Sequence, residues 1–291
     1  MSLMAFTKPG DKVIVQSPVY FPFYTTIENN GRRVLNNELK LVGDKYEMDF
    51  DALEKSIDKQ TKMMFLCNPH NPVGRAWSSN ELTRLAEIAE KHRILVVSDE
   101  IHADIVFDNL QHIPFASISD YAAQNTITCF APSKTFNLAG LSTSLVVAEN
   151  QRLLAEYNYM LDSYHIGLTN PFGLEALKAA YSDGEPWLEA LLGYLQQNRD
   201  YIFDFFKTEI PLVKPLKPEA TFLMWLDFSQ LMNRLGARFN HWLINEAGLG
   251  LNNGAMFGAG GDSYQRLNFG CPRSTIEQAL MKLKNAVTSI L

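Results

Sequence analysis

The 291-residue chain has few cysteines, no long apolar run and no excess of positive charge. Its three cysteines, Cys67, Cys129 and Cys271, are too few and too scattered for a disulfide framework or a zinc-ligand pattern. No apolar run approaches the roughly 20 residues that span a bilayer, and the first residues do not show the pattern of a secretory leader. With 26 basic and 32 acidic residues, the net charge of −6 argues against nucleic acid or an anionic membrane as the main partner. We therefore expect a cytoplasmic protein.

The composition is that of a folded protein, since apolar residues make up 46% and charged residues 20% of the chain. The sequence contains no internal repeat and no low-complexity segment. Because the length exceeds what one hydrophobic core usually serves, we expect two domains, residues 5–183 and residues 184–291. The first four residues look like a remnant of recombinant expression, and we exclude them from the fold.

Extended apolar runs alternate with helical patterns in the first domain. Runs that are apolar throughout, separated by amphipathic helices, indicate an α/β domain whose mostly parallel sheet is covered on both faces. Ser78–Glu81 has the capping-box pattern and predicts a helix to about Lys91, while Asp49 can cap another helix. The predicted strands lie at Val13–Val15, Met63–Cys67, Ile94–Ser98, Ile127–Phe130 and Ser144–Ala148.

The second domain has a different pattern, and we expect a smaller α+β unit there. A long helix is predicted from Trp187 to about Lys207, and Ser274–Glu277 is a second capping-box pattern that predicts the start of the last helix. The Gly-rich stretch from Asn252 to Gly261 lacks a strand–loop–helix context, so we interpret it as a loop beside the cleft that moves on substrate binding. Other elements are predicted at Thr221–Asp227, Arg238–Glu246 and Gln265–Phe269.

Polar residues follow four of the predicted strands in the first domain. Ligands of open α/β sheets bind outside the carboxyl ends of the strands, so these residues should converge in space. Singly, each has an ordinary explanation as a turn, a solvated charge or rim packing. Lys134 differs from a surface lysine because it follows a buried-type strand and precedes apolar residues, a placement expected to desolvate its amine and favour a nucleophilic or Schiff-base role. The four segments contain Tyr20, Asn71, Asp99 and Lys134.

Together and in this order, the segments resemble fold-type I pyridoxal-phosphate (PLP) enzymes of aminotransferase class I/II. Within that group they are most similar to the MalY/PatB subgroup of cystathionine β-lyase-like proteins. The resemblance covers essentially the whole chain, and it implies a mostly parallel sheet of the seven-stranded type plus a smaller C-terminal α+β domain. The motifs that carry it are Ser17–Tyr20, Asn68–Gly74, Ser98–His102, Ser133–Leu141, Pro218–Phe222 and Arg266–Arg273.

The resemblance also implies roles for individual residues. Lys134 would hold PLP as an imine and move the proton at the substrate α-carbon. Asp99 would pair with the pyridinium nitrogen, and Arg266 would bind the substrate carboxylate through its planar fork of donors. The remaining cofactor contacts would be a stacked ring at Tyr20, a hydrogen bond to the phenolic oxygen from Asn71, the site residue His102 and a phosphate contact at Ser133.

Three positions depart from the wider family. His102 stands where many aminotransferases have tyrosine, which favours the lyase-like subgroup. Ala131 stands where a phosphate-binding serine is common, and Ser142 where many aminotransferases have a phosphate-binding arginine. Family members also carry a longer segment before the point that matches Phe6, which grips the phosphate and reaches the neighbouring subunit. The resemblance therefore implies that this first domain is incomplete at its N-terminus.

The function implied is carbon–sulfur β-elimination from cystathionine or another S-substituted amino acid, giving a thiol, pyruvate and ammonia. An amino-acid aminotransferase shares the early steps and stays an alternative. A second alternative is a regulatory PLP-binding protein that contacts a transcription factor, and a third is an inactive truncated homologue. The resemblance implies a homodimer. No metal is expected, because no metal-ligand spacing occurs among His70, His92, His112, His165 and His241.

Overall fold

The computed structural model describes residues 1–167 and 170–291. Its helices are α1 Ser2–Phe6, α2 Pro22–Asn29, α3 Phe50–Ser56, α4 Ser79–His92, α5 Asp120–Gln124, α6 Pro132–Thr135, α7 Gln151–Ser163, α8 Pro171–Asp183, α9 Glu185–Glu209, α10 Ser229–Leu235, α11 Phe239–Asn245 and α12 Arg273–Thr288. Its strands are β1 Lys12–Val15, β2 Arg33–Asn36, β3 Lys40–Val42, β4 Lys45–Glu47, β5 Thr61–Cys67, β6 Leu95–Asp99, β7 Thr126–Phe130, β8 Leu145–Val147, β9 Lys214–Leu216, β10 Leu223–Asp227, β11 Asn252–Asn253 and β12 Tyr264–Asn268. Short 3₁₀ turns lie at Phe115–Ser117, Ala139–Leu141, Gly236–Arg238 and Gly254–Phe257.

The large sheet has the strand order β2-β1-β5-β6-β7-β8. All neighbours in it pair in parallel except β7 and β8, which are antiparallel. The prediction of a mostly parallel α/β sheet is therefore confirmed, with six strands among the described residues where the resemblance implied a sheet of the seven-stranded type. Strands β3 and β4 form a separate hairpin.

Both faces of the large sheet are covered, because alternate side chains of a strand point to opposite sides. In β5, Met63 and Phe65 pack in the cluster that contains Leu3 of α1 and Ile27 of α2. The intervening Met64 packs in the cluster that contains the buried face of α4. A run of apolar residues without alternation is thus what a strand buried on both faces requires.

The smaller sheet is antiparallel, with the order β11-β12-β10-β9. Trp225 of β10 packs in the cluster that contains the buried face of α4, whereas its neighbours Met224 and Leu226 share a buried cluster with α9, α11 and α12. Ile105 and Phe107, which follow β6 in the chain, belong to the same cluster. The two sheets are therefore joined by packing as well as by the chain, and the division between residues 183 and 184 stays a prediction.

Gly74 lies where the loop after β5 meets the second sheet. Its φ of +73° suits glycine, and the backbone N–H groups of Glu219 and Ala220 both donate to its carbonyl oxygen, at 2.8 and 3.0 Å. A Cβ atom there would lie only 2.4 Å from the Cβ of Pro218. This close approach explains the glycine and fixes the loop that carries Asn71.

Two expectations about chain ends and caps are wrong. The first four residues belong to the fold, since α1 begins at Ser2 and its Leu3 side chain is buried. The last helix begins at Arg273, with Pro272 at its N-cap and no side-chain capping bond. Proline's fixed φ already sets the helix entry, so the Ser274–Glu277 pattern is not used as a capping box. The box at Ser78, by contrast, is formed in full.

Across residues 1–167 and 170–291, no helix combines the length and apolar character needed to cross a membrane. Within the same ranges, no cluster of three or more His, Cys, Asp or Glu side chains could hold a metal ion. Cys67, Cys129 and Cys271 are all free thiols. The cytoplasmic location stays a prediction.

Candidate active site

The four polar segments predicted from strand ends converge in the structure. They follow β1, β5, β6 and β7, which are successive neighbours in the large sheet and run in parallel. Polar residues at their carboxyl ends therefore lie along one sheet edge. A cavity of about 280 Å³ opens there, lined by Tyr20, Phe21, Cys67, Asn71, Asp99, Ile101, His102, Lys134, Phe222, Leu223, Asn252, Arg266 and Asn268.

Arg266 reaches this cavity from the second sheet. Its Nη1 donates to Asn71 Oδ1 at 2.9 Å and its Nη2 donates to Asn252 Oδ1 at 2.8 Å. The guanidinium carbon lies 4.8 Å from the centre of the Phe257 ring, a distance suited to a cation–π contact. Arg266 therefore joins the two sheets across the cavity and presents a positive charge to it.

Asp99 is the last residue of β6 and points into the cavity. Desolvation by burial raises its pKa from 3.8 to about 6, while a hydrogen bond from the Ile101 N–H, at 3.3 Å, and the charge of Lys134 act in the opposite direction. A carboxylate in this position is costly to ionise without a cationic partner. A protonated ring nitrogen would be such a partner.

Asp99→Asn is expected to remove a pH dependence of folding in the protein without cofactor. Because the folded-state pKa of about 6 exceeds the ordinary 3.8, the folded state binds more protons between these values, and the free energy of unfolding falls as the pH rises through this window. The variant should match the parent near pH 4 and exceed its stability above pH 6 by about 2–3 kcal/mol. Urea unfolding at both pH values measures this, and an equal difference at the two would contradict it.

Glu100 does not belong to the cavity, although the sequence places two acids and a histidine together. Adjacent strand residues point to opposite faces. The buried Glu100 carboxylate accepts hydrogen bonds from Ser98 Oγ at 2.8 Å and the Phe115 N–H at 3.1 Å, and it pairs with His112 Nε2 at 2.7 Å. It therefore anchors the segment after β6, leaving Asp99 and His102 to line the site.

His102 is buried and packs edge-on against Phe222, with 5.6 Å between ring centres. Burial, followed by the positive charges of Lys134 and Arg266, lowers its pKa to about 3. The ring is therefore neutral at pH 7. Its Nδ1 is buried and has no hydrogen-bond partner among the described residues, so a polar group of a ligand could supply one.

Lys134 lies in the short helix α6 and lines the cavity, but it is exposed. The expectation that its amine is desolvated is wrong for this structure. The reason is that Lys134 also lines an adjoining cavity of about 400 Å³, so solvent reaches it from that side. Ser133, the predicted phosphate contact, lines only that second cavity, and its role stays a prediction.

The loop that carries Asn71 is held from several sides. The Asn71 N–H donates to Cys67 Sγ at 3.3 Å, and the His70 N–H donates to the Arg75 carbonyl oxygen at 2.8 Å. Arg75 in turn forms ion pairs with Glu219 at 2.8 Å and Glu81 at 2.9 Å. Asn71 Oδ1 is engaged by Arg266, so the amide NH₂ is left to donate into the cavity.

The Gly-rich stretch lies beside the cavity as expected, but the contribution of its side chains was not predicted, and its movement on substrate binding stays a prediction. Asn252 lines the cavity, and Phe257 supports Arg266. The Phe257 carbonyl oxygen accepts hydrogen bonds from the Val19 N–H at 2.9 Å and the Tyr24 hydroxyl at 3.0 Å, so the stretch is held against α2 and the segment that precedes it. The sequence offers no signal for Asn252, because its approach to Arg266 depends on the pairing of β11 with β12.

The family of the chain follows from this geometry and from comparison with known proteins. A family model described as aminotransferase class I and II matches residues 1–283. The chain belongs to this family. The curated relatives include cystathionine beta-lyase PatB of Bacillus subtilis (strain 168), 42% identical over 99% of this chain and 74% of the relative. Protein MalY of Escherichia coli (strain K12) is 34% identical over 98% of this chain and 74% of its own length.

Solved structures of similar proteins have the same fold. Cystalysin from Treponema denticola, whose structure contains a pyridoxal 5′-phosphate cofactor, superposes with a TM-score of 0.95 at 34% identity, over all of this chain and 74% of its own. The PLP-bound C-S lyase from Staphylococcus hominis has a TM-score of 0.91 at 32% identity, over 99% of this chain and 74% of its own. The predicted fold type and the MalY/PatB resemblance are therefore confirmed.

Proposed function

We propose that the chain is a PLP-dependent carbon–sulfur β-lyase whose cofactor occupies the cavity at the carboxyl edge of the large sheet. The donor set fits the cofactor ring. A carboxylate with a raised pKa, Asp99, lines the cavity together with an amine, Lys134, and the buried His102 Nδ1 has no hydrogen-bond partner in the part of the chain that the structure describes. The amide of Asn71 is fixed by Arg266. These groups match a planar heterocycle that carries a ring nitrogen, an aldehyde carbon and a phenolic oxygen.

Each cavity residue has a task in this proposal. PLP supplies an electron sink for negative charge that develops at the substrate α-carbon. The Asp99 carboxylate would keep a proton on the ring nitrogen, because a buried negative charge stabilises a positive charge beside it. Lys134 holds the cofactor covalently and carries the proton at the α-carbon, a task that requires its amine to be neutral for part of the cycle. Asn71 would donate an N–H to the phenolic oxygen, and Tyr20 would pack on the ring.

Substrate recognition rests on Arg266. Its charge faces the cavity, and the ion pairs formed by the described residues do not include it. A carboxylate can meet two of its N–H groups at once. An L-amino acid bound by its carboxylate would place its α-carbon beside Lys134. In the proposed reaction, loss of the α-proton is followed by cleavage of the bond between the β-carbon and sulfur, which releases a thiol and leaves pyruvate and ammonia after hydrolysis.

The observation that carries the proposal is the convergence of Lys134, Asp99, Asn71 and Arg266 on one cavity. The lyase reaction in particular is supported by the similarity to cystathionine beta-lyase PatB and to C-S lyases. The experiment incubates the full chain with PLP and L-cystathionine and measures pyruvate and thiol. Equal amounts of pyruvate and thiol support β-elimination, whereas amino transfer that depends on a 2-oxo acid, without thiol, would identify an aminotransferase and reject the lyase.

A homodimer is part of the proposal. It is supported by large apolar side chains that α7 to α9 leave exposed, with Tyr159 exposed to 73%, Phe172 to 77% and Trp187 to 48%. Burial of these side chains against a second copy of the chain would remove their apolar surface from water. Light scattering should give the mass of two chains, and a monomer at micromolar concentration would contradict the homodimer.

A regulatory role through a transcription factor stays a prediction. Unlike turnover, that role would survive Lys134→Ala.

A further inference from the structure

We infer that Asn252 is a positioning residue, which holds the guanidinium of Arg266 in the orientation that receives a substrate carboxylate. The inference rests on the proposed function. Asn252 of β11 is paired directly with Arg266 of β12 in the antiparallel register. Side chains at such opposed positions lie on the same face of the sheet. Strand pairing therefore brings the two side chains within reach of the 2.8 Å hydrogen bond from Arg266 Nη2 to Asn252 Oδ1. The pairing with β12 also fixes the position of Asn252.

The groups that contact Arg266 leave its positive charge available to a substrate carboxylate. Nη1 and Nη2 each donate to the oxygen of a neutral amide, Asn71 and Asn252, and the Phe257 ring lies against the guanidinium. The buried Nε has no hydrogen-bond partner in residues 1–167 and 170–291. An unsatisfied buried donor on a charged group indicates that a ligand oxygen completes the site. Two amides thus orient the cation without neutralising it.

The Asn252 side chain carries no charge, and this property matters for carboxylate binding by Arg266. An aspartate at this position could accept the same hydrogen bond, but it would form an ion pair with Arg266 and compete with the substrate carboxylate. An alanine would remove the hydrogen bond and leave the guanidinium held by Asn71 and Phe257 alone. The two substitutions therefore separate loss of orientation from loss of available charge.

The test compares two ligands that differ only in the carboxylate. Glycine carries it and has no leaving group, whereas glycinamide has a neutral amide instead. Each is titrated into the PLP-loaded full chain, and the dissociation constant is read from the change in visible absorption. The variants are Asn252→Asp and Asn252→Ala. Asn245→Ala, an exposed asparagine of α11 in the same lobe, is the control.

We expect Asn252→Asp to lower the preference for glycine over glycinamide by about tenfold or more. The new carboxylate would pair with the Arg266 guanidinium, which would then be less available to the carboxylate of glycine. Asn252→Ala should lower the preference by about threefold, as for one lost hydrogen bond. Asn245→Ala should leave it unchanged. An unchanged preference in Asn252→Ala, or an equal loss for both ligands, would overturn the inference. Absence of a PLP absorption band in the parent protein would instead overturn the proposed function.

Discussion

Lys134→Ala is expected to abolish the covalent attachment of PLP and to lower turnover by at least about 10²–10⁴-fold, the range for loss of a positioned acid–base group. The side chain is exposed and forms none of the ion pairs of the described residues, so its removal should leave the free energy of unfolding nearly unchanged. Combined loss of catalysis with retained stability is the signature of a residue that serves chemistry alone. Absorption spectra, pyruvate release and urea unfolding measure the three quantities.

The control for this variant is Lys178→Ala. Lys178 lies in α8 and forms an exposed ion pair with Glu175 at 2.8 Å, which contributes little to stability. The Lys178→Ala variant should keep the absorption spectrum and the turnover of the parent protein. Turnover by Lys134→Ala within tenfold of the parent, with an intact spectrum, would contradict the assigned role of Lys134.

The second large effect is expected for Arg199→Ala, which should lower the free energy of unfolding by about 2–4 kcal/mol, because a large buried side chain and its charge-assisted hydrogen bonds are lost. The side chain of Arg199, in α9, is fully buried. Its Nη1 and Nη2 donate to the Asp108 carboxylate at 2.7 and 2.8 Å, and Nη1 also donates to the Pro218 carbonyl oxygen at 3.2 Å. The guanidinium lies 4.8 Å from the Phe107 ring centre. Removal leaves a cavity at a buried position, while the Asp108 side chain, which is 48% exposed, can be solvated.

Arg199 joins α9 to the segment after β6 and to the residues that approach Gly74, so the same variant should weaken the support of the active-site loop. Arg152→Ala is the matched control, because Arg152 is 86% exposed and, among the residues that the structure describes, forms an ion pair with Glu156 alone, along one helix. That change should cost less than about 0.5 kcal/mol. Urea unfolding followed by tryptophan fluorescence compares them. A loss below about 1 kcal/mol for Arg199→Ala would contradict the structural role given to this ion pair.

Much of the fold was predictable because buried parallel strands have a local signature. The apolar run at Met63–Cys67 lies within β5, and the capping box at Ser78 begins α4 as expected. The hairpin of β3 and β4 escaped prediction because Leu41 and Val42 are exposed, so the segment shows no alternation of buried and solvated residues. Its pairing depends on the rest of the fold.

The site was predictable as far as each residue follows a strand of the large sheet. Tyr20, Asn71 and Asp99 converge because the strands before them are neighbours, which the general rule for open α/β sheets anticipates. Asn252 was not predictable, since its role depends on register between β11 and β12. The exposure of Lys134 was also missed, because it depends on the cavity beside α6 and not on the strand before it.

Lys134 is the residue expected to carry PLP. The most direct measurement incubates the full chain with PLP, reduces it with borohydride, digests it and locates the reduced pyridoxyl phosphate by mass spectrometry. We predict modification of Lys134 as the dominant product, absent in Lys134→Ala. Modification spread over exposed lysines, with Lys134 unmodified, would contradict the account.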